Sequence, residues 1–179
     1  YRSVMELDSL DATANNNLSI LLEQQGQYRD AALMMSRGVH DSGTGLGPGG
    51  YRNAAMSWLD ADNLDSARAM IVEGLARYPG DRSLQGAGVM VNYAEGKRAE
   101  AKRMALEIGQ DARTPPLIRS LALGYAAREP ALEGRLRESS EVGRQALGFE
   151  ATRGRAPDYY RAAGVLSEVE AMQTGDPRT

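Results

Sequence analysis

Residues 12–38 read ATANNNLSILLEQQGQYRDAALMMSRG, and this stretch decides the fold. Leu18, Ile20, Leu21 and Leu22 form an apolar run in its first half, and Gly26 interrupts it. Tyr28 then opens a second segment in which Ala31, Ala32 and Met35 recur at helical spacing. The pattern predicts helix, tight turn, helix. Two helices joined by so few residues lie antiparallel, and neither buries its apolar face without a neighbour.

The same pattern recurs along the chain. Gly26, Asp62, Gly96, Gly134 and Gly175 mark successive turns, spaced 36, 34, 38 and 41 residues apart. Ala31, Ala67, Ala101 and Ser139 each follow their turn by five residues. Pro79-Gly80 and Thr114-Pro115-Pro116 break the chain between pairs. Helices are expected to resume near Tyr51, Ser83 and Leu117, the last running as a kinked helix through Pro130 to Leu132. The glycine-rich segment from His40 to Gly50 reads as a widened loop. Tyr1 to Leu7 reads as the tail of an earlier helix, and Pro157-Asp158 as the start of a last one reaching Met172. The expected organisation is one all-α solenoid. It has a partial unit over 1–11, hairpins over about 12–47, 48–81, 82–115 and 116–151, and a partial unit over 157–179. On that register the chain begins within one repeat and stops at the turn of another, as part of a longer protein would.

A period near 34 with a small residue behind each turn resembles the tetratricopeptide repeat (TPR) family. The second unit carries the motif most fully: Tyr51, Ala54-Ala55 and Trp58, then Ala67 and Ile71, then Pro79. The first offers Asn15, Leu18-Ser19 and Leu22, then Ala31 and Met35. Small residues suit the points where two helices cross closely, whereas Leu18, Leu22 and Trp58 fill the groove between helices. The resemblance implies a right-handed superhelix in which each hairpin buries the apolar face of the next. Gly134 to Leu147, GRLRESSEVGRQAL, resembles helices of the TPR regions attached to bacterial signalling proteins, namely Ser/Thr kinases and adenylate cyclases.

Composition excludes several classes of function. The formal net charge is −3 and the pI about 5.3, without the basic face that a nucleic-acid partner needs. There is no cysteine, hence no disulfide and no thiolate metal site. No run approaches the roughly 18 apolar residues of a membrane span, and Tyr1-Arg2-Ser3 opens no signal-peptide hydrophobic region. These features predict a cytoplasmic protein without membrane insertion.

No catalytic constellation, cofactor site or metal site is expected. GTGLGPGG, Gly43 to Gly50, lacks the lysine and the preceding strand of a phosphate loop. His40, the only histidine, has no partners at metal-ligand spacing and sits where a helix C-terminus favours positive charge. The resemblance implies instead that the first helix of each hairpin lines a concave, partner-binding face. That points to Asn16, Asn17, Ile20, Glu23 and Gln24 in the first unit, to Arg52, Asn53, Met56 and Asp60 in the second, and to Met90 and Tyr93 in the third. The family's carboxylate-clamp members use Lys, Asn and Arg here. Asn16, Asn17, Arg52 and Asn53 are present, but the lysines are not at the matching places.

Two functional readings remain open at this point. One is a non-catalytic scaffold that docks a peptide or protein in the groove, with self-association through its terminal repeats. The other is the regulatory or sensor region of a larger bacterial signalling enzyme whose kinase or cyclase domain lies elsewhere.

Overall fold

Left-handed backbone recurs at four turn positions and sets the local architecture. The structure, a computed structural model, describes residues 12–40 and 46–150. The expected helices at Tyr1–Leu7 and Pro157–Met172, and the turn at Gly175, lie outside the described residues. Those residues are all-α, with eight helices and no strand among them. They divide into two compact units between Glu95 and Gly96.

The first unit holds α1 (Ala12–Gln24), α2 (Tyr28–His40), α3 (Gly47–Asp60), α4 (Leu64–Arg77) and α5 (Arg82–Ala94). Each helix packs on the next, and α5 also packs on α3. Gly26 and Asp62, the turn residues between α1 and α2 and between α3 and α4, have φ of 73° and 55°. That conformation lets the following amides reach back to carbonyls the helix has left free. Gln27 N–H donates to the Leu22 carbonyl and Asn63 N–H to the Trp58 carbonyl, both at 2.9 Å. The small residues five places later, Ala31 and Ala67, are completely buried. The core joins Ala32, Met35, Tyr51, Trp58, Ile71, Leu84 and Val91.

Residues one period apart meet in this unit. Ser57 of α3 donates to Glu23 of α1 (2.5 Å), Ser36 of α2 meets Met70 of α4, His40 of α2 meets Glu73 of α4, and Arg52 of α3 donates to Ser83 of α5. Their sequence separations are 34, 34, 33 and 31. First helices therefore bond to first helices and second helices to second helices.

The second unit holds α6 (Arg98–Gln110), α7 (Pro116–Leu132) and α8 (Leu136–Glu150), packed in sequence. Gly134 has φ of 75°, and Arg135 N–H donates to the Pro130 carbonyl at 2.8 Å. Ser139 is completely buried, and its hydroxyl donates to the Ala127 carbonyl on the facing helix. The α7 helix runs through Pro130 to Leu132 as one element.

Helix α3 differs from its expected start near Tyr51, because it begins at Gly47. Pro48 falls in its first turn, where a missing N–H costs nothing and φ is already helical. Gly50 is there for closeness of approach rather than for looping. A Cβ on it would lie 2.4 Å from the Leu46 Cβ and 3.1 Å from Val39.

Candidate functional site

The residues expected to face a partner all lie in the first unit, on α1, α3 and α5. On α3, Arg52, Met56 and Asp60 are spaced by four and share one side of the helix. Arg52 is held in place rather than trailing into solvent. Its Nε and Nη2 donate to Asn53 Oδ1 at 3.1 and 2.9 Å, and its Nη1 donates to Ser83 Oγ at 3.0 Å. Both acceptors are neutral, so the guanidinium charge is positioned without being neutralised. Among the described residues three of its five N–H groups are used, and two remain available.

At the other end of α3, Asp60 is exposed and Glu23 of α1 is near enough to affect its titration. Desolvation and then the Glu23 charge raise the Asp60 carboxyl above its ordinary range. Ser57 holds Glu23 at that position. Neither carboxylate has a cationic partner among the described residues. Between these ends Met56 is half-buried and rests on the core.

The remaining expected residues are placed as follows. Asn16 and Asn17 are half-buried on α1, Gln24 is exposed, and Ile20 is 42% exposed. Asn15 is fully buried, so the Asn15–Asn17 run is not a uniformly solvated face. Met90 and Tyr93 are half-buried on α5, and the Tyr93 hydroxyl is shielded from solvent, so that residue offers ring surface only. The structure thus brings Glu23 to Asp60 and Arg52 to Asn53.

No protein-family model matches the chain, and no curated protein sequence matches it.

Sequence reasoning missed three sets of residues. Ser57 and Ser83 position Glu23 and Arg52, and only the repeat register, which puts each about one period from its partner, signals them. Arg68 of α4 forks onto Glu95 and the buried Asn92, and no local pattern marks that group. The third set centres on Glu73, whose carboxylate meets His40 Nε2 (2.9 Å) and accepts from Tyr51 Oη (2.7 Å). Arg77 lies over the Tyr51 ring, 5.8 Å from its centroid. Burial alone would push the Glu73 carboxyl up, but the bonds from His40 and Tyr51 outweigh it and hold the carboxyl below its usual range. Burial first, and then the Glu73 bond, push the Tyr51 phenol up to about 12. This cluster ties the end of α2 to α3 and α4, so His40 acts as a structural tie in the first unit.

A separate surface hollow of about 540 Å³ lies beside the α3–α4 turn, lined by Arg29, Trp58, Asp62, Asn63 and Asp65. Its Asn63 already caps α4 through Ser66 N–H. Among the described residues no helix is long and apolar enough to cross a membrane, and no group of His, Asp and Glu is placed to hold a metal ion.

Proposed function

We propose that this chain is a non-catalytic interaction module of TPR-like hairpins that docks a peptide or protein segment against α1, α3 and α5. The observation that carries this reading is the set of bonds between side chains one period apart in the first unit. Bonds of that kind arise when successive hairpins stack by a nearly constant step, the packing mode of a repeat array. Such stacking aligns the first helices and leaves one side of each for a partner. The left-handed turns and the buried Ala31 and Ala67 support the same register.

The side left open has the chemistry of a recognition surface. It combines polar amides (Asn16, Asn17, Asn53) with apolar contact (Ile20, Met56) and a pre-positioned arginine. Rigid placement of Arg52 lowers the ordering cost of any bond it makes to a ligand.

The test is selection of a displayed random peptide library on the whole chain. Wild type should enrich a consensus that Arg52→Glu combined with Asn53→Ala fails to enrich, while helicity by circular dichroism stays unchanged. Equal enrichment of the same sequences by both proteins would refute docking on this face.

A further inference from the structure

The α3 stripe carries a cation at one end, a methionine in the middle and two carboxylates at the other end. Among the described residues neither end is compensated. Arg52 has only neutral acceptors there, and Glu23, held by Ser57 one turn before Asp60 on α3, lies near enough to raise the Asp60 carboxyl with no cation beside either. A surface that holds unlike charges apart in this way is complementary to a ligand with the opposite arrangement.

The spacing is specific. Four residues of helix advance about 6 Å, so Arg52, Met56 and Asp60 stand at about 0, 6 and 12 Å along α3. In an extended chain, side chains on one face recur every second residue, about 6.6 Å apart. Three alternate side chains of an extended segment laid along α3 therefore fall opposite the three positions in turn.

We infer that the docking face takes an extended peptide segment with an acidic side chain, an apolar side chain and a basic side chain at alternate positions, set against Arg52, Met56 and the Glu23–Asp60 pair. The acidic group accepts from the two remaining guanidinium N–H groups. The apolar group covers Met56. The basic group separates the two carboxylates and relieves their repulsion. Whichever charge comes first in the segment sets the direction in which it lies along α3. This inference rests on the docking reading above and adds the chemistry of the partner.

The experiment measures binding of fluorescein-labelled synthetic peptides to the full chain by fluorescence anisotropy. Each peptide has a central leucine in a Gly/Ser background. The first carries Glu two residues before the leucine and Lys two residues after it. The comparison peptides carry Gln at both places, or Glu and Lys directly beside the leucine, where an extended chain points them away. The alternate Glu/Lys peptide should bind about five-fold tighter than either comparison, as two solvent-exposed ion pairs allow. Raising the salt concentration should erase most of that advantage. Arg52→Gln should remove the dependence on Glu alone, and Glu23→Gln with Asp60→Asn the dependence on Lys alone. Peptides that bind equally well whatever their charge or spacing would overturn the inference and leave docking intact. Failure of every peptide to bind at millimolar concentration would overturn both.

Discussion

Gly109 and Gly124 sit on neighbouring helices of the second unit, and the same substitution should have opposite effects at the two sites. A Cβ on Gly109 would lie 2.5 Å from Leu123 Cγ and 2.6 Å from Leu123 Cδ2. Ordinary carbon contacts lie near 3.5–4.0 Å, so Leu123 would have to move by about 1 Å. Leu123 is 1% exposed, which leaves no open side to swing toward. Overpacking of this kind costs about 1–3 kcal/mol. Ala gains at most about 1 kcal/mol over Gly in a helix, and less at Gly109, the penultimate residue of α6. The net expectation for Gly109→Ala is a loss of about 1–2 kcal/mol. At Gly124, within α7, nothing lies within 4 Å of the added Cβ. Gly124→Ala should therefore gain about 0.5–1 kcal/mol from propensity alone. Urea unfolding followed by far-UV circular dichroism measures both, and the two variants should differ by about 2 kcal/mol. In a double-mutant cycle, Leu123→Val should be less damaging in Gly109→Ala than in wild type, because it makes room for the new methyl. If Gly109→Ala stabilised the protein as Gly124→Ala does, the close approach of α6 and α7 would be refuted.

Other outcomes follow from the same geometry. Asp62 is the one described turn residue that takes positive φ with a side chain, so Asp62→Gly should raise the urea midpoint by up to about 1 kcal/mol equivalent. A lower midpoint would mean that the Asp62 side chain contributes more than its backbone strain costs. Ala67 is fully buried at the α3–α4 contact, so Ala67→Leu should cost about 3 kcal/mol or prevent folding, whereas Leu at exposed Ala76 should be near neutral in thermal melts. The Tyr51 phenol, raised to about 12, adds stability that is fully present below pH 10 and is lost as pH rises from 10 toward 12. Tyr51→Phe should flatten that alkaline loss, on the order of 2 kcal/mol, as followed by phenolate absorbance during unfolding. The Glu73 carboxyl is lowered, so its contribution is present above its unfolded value of 4.5 and is lost as pH falls through the folded value. Acid titration of Glu73→Gln should accordingly lack that part of the wild-type loss.

Much of the local architecture was legible in the residues because backbone sterics act at fixed offsets. A left-handed turn selects Gly or a short polar residue, and a close helix crossing selects Ala or Ser. Gly26, Asp62, Gly134, Ala31, Ala67 and Ser139 therefore betray their positions without knowledge of any contact. The start of α3 was not legible. Gly47 to Gly50 look like loop residues, and only the packing of Gly50 against Leu46 and Val39 shows why the helix takes glycine at that position.

The sequence by itself determined the helical class and the register of the turns. Tertiary structure decided which charged side chains those helices bring together. Arg52 could have paired with an acid, and instead it rests on two neutral oxygens, one of them 31 residues away. Glu23 and Asp60 are far apart in the chain and affect each other only because the fold brings Glu23 of α1 to α3 at Ser57, which donates to it. The physical reason is range. Backbone conformation and side-chain size are settled within a few residues and leave a local trace, but the sign and spacing of charge on a folded surface depend on which distant neighbours the packing brings together.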